Sequence, residues 1–127
     1  MNIRPLDPVF SVCKVADYSG VDIESEFCFT GRTDEERSLV CPTQQVPANA
    51  THREDGWKAF RIEGVLDFSL IGILARLCGI LAEKQIGVLA LSTFQTDYIL
   101  VKEERFEEAL SALAHAGYSI VQNIGQE

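Results

Sequence analysis

Apolar and polar positions alternate most clearly in the second half of this chain. Residues 57–63 (WKAFRIE) place Phe60 and Ile62 in alternation between Gly56 and Gly64, which predicts a strand. Ser69 is suited to cap a helix opening at Leu70. From there Leu70, Ile71, Leu74, Leu77, Cys78 and Leu81 recur along one helical face, and Ile73 and Ile80 widen it. Gly87 reads as its end. Residues 88–93 and 97–102 predict two strands of a hairpin joined by a short polar turn. Residues 104–117 form a second amphipathic helix with Phe106, Ala109, Leu110, Leu113 and Ala114 on its buried face and Gly117 as its C-terminal cap. Residues 118–121 are a last strand. The order βαββαβ predicts an α+β, ferredoxin-like sandwich with both helices on one sheet face.

The first half reads as a shortened relative of the second. Residues 9–15 (VFSVCKV), 27–30 and 38–41 predict strands, and 31–37 is a polar connection. Setting Val9 against Trp57 gives an offset of 48, whereas Thr30 against Thr93 gives 63 and Val40 against Val101 gives 61. The first crossover is therefore shorter by about a helix length, and residues 17–26 hold no more than a turn of helix. Residues 42–55, polar and holding Pro42 and Pro47, read as a loop. The run Thr33-Asp34-Glu35-Glu36 has the form of a capping box, with a helical turn as its plain reading. The expected division is a truncated unit at 1–56 and a complete one at 57–127.

Composition narrows the function classes. The 127 residues carry a formal charge of −8 with eleven basic residues, and these are scattered, which argues against nucleic acid as a partner. Cys13, Cys28, Cys41 and Cys78 show no CxxC pair, and His52 and His115 lie apart from them, so buried free thiols are expected rather than a metal centre or cofactor site. Residues 1–7 are short and polar, without the pattern of a secretory leader, and no apolar run approaches the ~20 residues that span a bilayer. A cytoplasmic location is expected. No nucleophile and base stand at catalytic spacing, so binding is expected rather than chemistry.

Taken together, residues 29–41 (FTGRTDEERSLVC), Gly56-Trp57, 64–75 (GVLDFSLIGILA) and 92–101 (STFQTDYILV) resemble the ACT-domain family of regulatory modules. The chain is more narrowly similar to small bacterial paired-ACT proteins, related to aspartate kinase regulatory domains and CASTOR-type arginine sensors. Val65 departs from the Pro that many relatives carry before the Leu-Asp-Phe-Ser run. The resemblance implies a complete C-terminal ACT unit packed with a shortened N-terminal one, a homodimer, and an amino acid held where ACT units meet. It implies a ligand site formed by Asp67, Phe68, Ser69, Ile71, Gly72, Thr93, Phe94, Thr96 and Asp97, with Ser38 and Leu39 from the partner unit.

Each candidate also has a plainer role. Asp67 and Asp97 can bind an ammonium group through charge-assisted hydrogen bonds, or cap a helix and a turn. Gly72 can open a helix N-terminus to a carboxylate, or allow close packing. Ser38, Thr93 and Thr96 can orient a ligand or satisfy local backbone groups. Phe68 and Phe94 can wall a pocket or fill the core. A structural oligomerisation or protein-binding module without ligand is the alternative function.

Overall fold

The computed structural model describes residues 1–63 and 72–121. Along them run β1 (Asn2–Val15), β2 (Phe29–Arg32), β3 (Arg37–Pro42), β4 (Ala50–Glu63), α1 (Ile73–Glu83), β5 (Leu89–Ser92), β6 (Asp97–Lys102), α2 (Phe106–His115) and β7 (Ser119–Ile120). A 3₁₀ turn follows β3 at Thr43–Gln45, and another follows β6 at Glu103–Arg105. Contacts divide the chain into Met1–Asp7 with the described part of Lys58–Glu127, here the helical unit, and Pro8–Trp57, the strand unit. β1 and β4 each run through both.

In the helical unit the strand order is β7-β1-β4-β6-β5. Phe60 and Ile62 of β4 and Ile99 and Val101 of β6 share one core with Leu77 and Leu81 of α1 and Phe106, Leu110 and Leu113 of α2. Each such side chain contributes about 1.5–3 kcal/mol by leaving water. The βαββαβ order is present, and β6 has the bounds expected for the second strand of its hairpin. The final strand differs from a ferredoxin-like sandwich, in which it would lie beside β4. Here β7 pairs in parallel with the start of β1, Asn2 opposite Ser119 and Ile3 opposite Ile120. Arg4 Nε meets Glu63 Oε2 at 2.7 Å, and Lys58 Nζ donates to the Leu6 carbonyl at 3.0 Å. The strand expected to begin at Val9 thus begins at Asn2, and its first residues occupy the place between β7 and β4.

Both helices end in a Schellman motif. Tyr118 N donates to Leu113 O (3.1 Å) and Gly117 N to Ala114 O (3.1 Å), with Gly117 at φ 105°, as its sequence position predicts. At α1 the same pair of bonds runs from Ile86 N to Leu81 O (3.0 Å) and from Gln85 N to Ala82 O (2.9 Å). The left-handed residue there is Gln85 at φ 60°, two residues before Gly87, and the helix ends at Glu83. On α2, Ala112 is buried and Ala114 exposed, because the helix is covered on the side nearer Ala109.

The strand unit has the order β2-β3-β1-β4 and a smaller core of Cys13, Val15, Leu39 and Cys41, against which Tyr18, Val21 and Cys28 pack. Residues 50–55, expected as loop, form the start of β4. Their side chains are largely exposed, so no alternation betrays the strand; backbone pairing alone makes it. Thr33–Glu36 closes the β2–β3 hairpin instead of forming a helical turn, with Thr33 N donating to Glu36 O at 2.9 Å.

The two hairpins are in strict register with each other. Phe29 opposes Val40 and Arg32 opposes Arg37 in one; Leu89 opposes Leu100 and Ser92 opposes Asp97 in the other. Every position is shifted by 60, and the 3₁₀ turns that follow are shifted equally. The crossover preceding the hairpin is residues 16–28 in the strand unit and 64–88 in the helical unit.

Candidate functional site

The β5–β6 turn is built by threonine. The connection is four residues long, 93–96, a length that needs no positive φ, and neither Phe94 nor Gln95 has it. Thr93 holds the loop closed: its N donates to Thr96 O at 2.9 Å, its Oγ1 donates to the same oxygen at 3.1 Å and accepts from Thr96 N at 3.3 Å. Thr96 Oγ1 then donates to Ile62 O at 2.7 Å, fastening the turn to the end of β4. Both threonine hydroxyls therefore serve the local backbone.

Asp97 begins β6. Its Oδ1 accepts from Ser92 Oγ at 2.6 Å, across the register pair that closes the hairpin, and its other oxygen accepts no hydrogen bond within the described residues. Burial, and then the Asp97 charge, push the Cys78 thiol of α1 upward, so the carboxylate lies within electrostatic reach of that helix. Phe94, at the tip, is 94% exposed; it belongs to no core. Gly72 precedes α1 in the left-handed region at φ 85°, a conformation that favours glycine. Ser38 and Leu39 lie in β3 of the strand unit. Ser38 O accepts from Tyr18 Oη at 3.0 Å, and Leu39 is buried in that unit's core. Asp67, Phe68, Ser69 and Ile71 lie outside the described residues.

Beside Gly72 is a concavity of about 240 Å³ lined by Met1, Ile73, Arg76, Gly117 and Tyr118. The Arg76 guanidinium stacks on the Tyr118 ring at 5.4 Å and donates to Tyr118 Oη (3.2 Å) and Ala116 O (3.3 Å). Sequence reasoning did not single out Arg76 or Tyr118. The available signals were the one-turn spacing from Gly72 to Arg76 and the cap at Gly117. At the end of β4, hydrogen bonding by Arg4 foremost, joined by Arg61, holds the Glu63 carboxyl below the usual carboxylate range against the upward effect of burial.

All four cysteines are free thiols, and burial pushes Cys41 up to about 12. Among the described residues no three His, Cys, Asp or Glu side chains are grouped to hold a metal ion, and no helix is long and apolar enough to cross a membrane.

A mixed sheet with two helices on a shared core, an oriented carboxylate at a hairpin and a glycine opening the first helix define an α+β fold of ACT type. Residues 52–115 match the family model described as ACT domain; the chain belongs to the ACT-domain family, whose domains are regulatory. No functionally curated protein matches it in sequence. Among solved structures it is similar to Atu0741 from Agobacterium tumefaciens, at 27% identity and a TM-score of 0.85, over 96% of this chain and 92% of that one. VC0802 from Vibrio cholerae, a protein of unknown function, aligns at 21% identity and a TM-score of 0.70 over 90% and 88%. The ligand-free regulatory subunit of aspartate kinase from Thermus thermophilus shares the fold at 12% identity and a TM-score of 0.64, over 92% and 98%.

Proposed function

We propose that this protein is a non-catalytic regulatory protein that senses an amino acid held where ACT units meet, within one chain or across a homodimer. In this reading Asp67, Phe68, Ser69, Ile71 and Gly72 contact the ligand together with Thr93, Phe94, Thr96 and Asp97, and Ser38 and Leu39 come from the neighbouring unit. A truncated ACT-like unit at 1–56, a complete one at 57–127, kinship with paired-ACT proteins and a cytoplasmic location belong to the same reading. The observation that carries it is Asp97, fixed through one oxygen by Ser92 while the other is left to accept from an ammonium group. A charge-assisted hydrogen bond of that kind contributes about 1.5–3 kcal/mol.

A thermal-shift screen over the common amino acids tests it. A binder at a hundred times its Kd should add about 2.7 kcal/mol of stability, and Asp97→Ala should abolish the response while the protein stays folded. Silence from every amino acid in the wild-type protein would defeat the reading.

The exposed Phe94 ring favours a second reading, an oligomerisation module without ligand. Under it, Phe94→Ala lowers the molar mass measured by light scattering, and amino acids leave that mass unchanged.

A further inference from the structure

In the helical unit, α1 covers the sheet: Leu77 and Leu81 share a core with Ile99 and Val101. The 60-residue shift between the hairpins makes Leu39 and Cys41 their counterparts in the strand unit. No helix stands over those two residues, because crossover 16–28 contains none. Val21 and Cys28 pack there instead, and a cavity of about 230 Å³ remains between crossover residues Asp22 and Ser25 and sheet residues Leu39 and Cys41, with Gln45 at its side.

The crossover holds its shape through its own bonds. Tyr18 Oη donates to Gly31 O (3.2 Å) and Ser38 O (3.0 Å). Asn49 Nδ2 donates to Asp17 O (3.1 Å) and Asp17 Oδ1 (3.0 Å), and Asp17 Oδ1 accepts in turn from Ser19 N and Oγ. Ser25 closes the next turn by donating through N (3.1 Å) and Oγ (2.8 Å) to Asp22 O. A site so pinned loses little freedom when occupied.

Its polar groups are incompletely used. The Asp22 carboxylate accepts from Glu24 N at 3.2 Å and pairs with no cationic side chain among the described residues. The Gln45 side-chain amide makes no hydrogen bond among them. The neighbouring thiols are desolvated and kept protonated, Cys41 up to about 12, which makes them apolar lining rather than metal ligands.

We propose that the strand unit carries its own small-molecule site in this cavity, which takes a compact organic ammonium compound. The ammonium meets Asp22, a short aliphatic body lies over Leu39 and Val21, and a second polar group reaches Gln45. The volume suits a molecule the size of an amino acid and is below the range of about 300–1,000 Å³ common for larger ligands. The charge of −8 favours a cationic group. The site is separate from the one proposed above, sharing only Leu39.

The test is an amide NMR titration of the full chain with serine, valine, lysine, butylamine and putrescine at millimolar concentrations. At least one probe should move the amides of Asp22, Ser25 and Gln45, and the exposed substitution Asp22→Asn should weaken that probe by about tenfold or more. Probes with and without a carboxylate separate an amino acid from a plain amine as the source of the ammonium. Asp97→Ala should leave these shifts intact. No movement at residues 20–28 and 39–45 with any probe, or equal movement in Asp22→Asn, overturns the proposal. Binding abolished by Asp97→Ala and kept by Asp22→Asn also overturns it, and leaves the proposed function standing.

Discussion

Gln85 holds a left-handed conformation at φ 60° to close the Schellman motif of α1, and a side chain with a Cβ is strained there by about 1–2 kcal/mol. Its side chain is exposed, so Gln85→Gly relieves the strain without losing packing. Glycine also widens the unfolded ensemble, which offsets part of the gain. The expected outcome is a net stabilisation of about 0.5–1 kcal/mol in urea unfolding. Phe27, at φ 56°, is a different case: its ring meets Phe10 edge-on at 6.1 Å, so glycine there forfeits a contact. Glu63 carries a pH signature. Its carboxyl is lowered in the folded state by Arg4 and then Arg61, so its contribution is complete above the unfolded value of about 4.3 and disappears as the pH falls through the lower folded value. Glu63→Gln should therefore flatten the acid limb of the stability–pH curve and leave the curve's shape above pH ~6 unchanged. An acid limb identical to that of the wild-type protein would remove Glu63 from the account.

The hairpins show how far element-level patterns carry. The spacing of α2 with its terminal glycine was legible because that helix has one buried and one exposed face, and β6 was legible as a short apolar run, buried on consecutive residues Ile99, Leu100 and Val101. The hairpin turns were harder, since Thr33-Asp34-Glu35-Glu36 has the composition of a helix cap. A threonine hydroxyl accepting from amides two or three residues on serves either structure, and only the pairing of Arg32 with Arg37 decides between them. Thr93 performs this role in the second hairpin. Thr93→Ala should cost about 0.5–1.5 kcal/mol and raise amide exchange at Thr96, while Phe94→Ala, which touches no core, should leave stability within about 0.5 kcal/mol. Matching losses from the two substitutions would show that the threonine bonds do not hold the turn.

At the scale of the molecule, the N-terminal residues and the last strand belong to one unit although most of the chain separates them. Ile3 is fully buried in the helical unit's core, and its carbonyl accepts from Val121 N at 2.8 Å. Removing residues 1–7, or replacing Ile3 with Ala, should destabilise that unit, the point substitution by about 2–5 kcal/mol in calorimetry or denaturant unfolding. A fragment starting at residue 57 that keeps full stability would contradict the pairing of β1 with β7.

Read alone, the chain determined the elements whose side chains divide between core and solvent, α2 and the α1 face from Ile73 onward, and the bounds of the short apolar β6 strand. The candidates at Thr93, Thr96 and Asp97 came instead from the resemblance of residues 92–101 to ACT domains. Tertiary structure decided what depends on backbone partners distant in sequence. It turned residues 2–7 and 50–55 into strand through ladder bonds that carry no side-chain pattern, and it put β7 beside β1. It also set the two hairpins 60 residues apart rather than 61 or 63, since register follows from hydrogen-bonded pairs and not from matching letters. The cavity of the strand unit arises in the same way: a missing helix is visible in the sequence as a short crossover, but the space it leaves exists only where the loop and sheet meet.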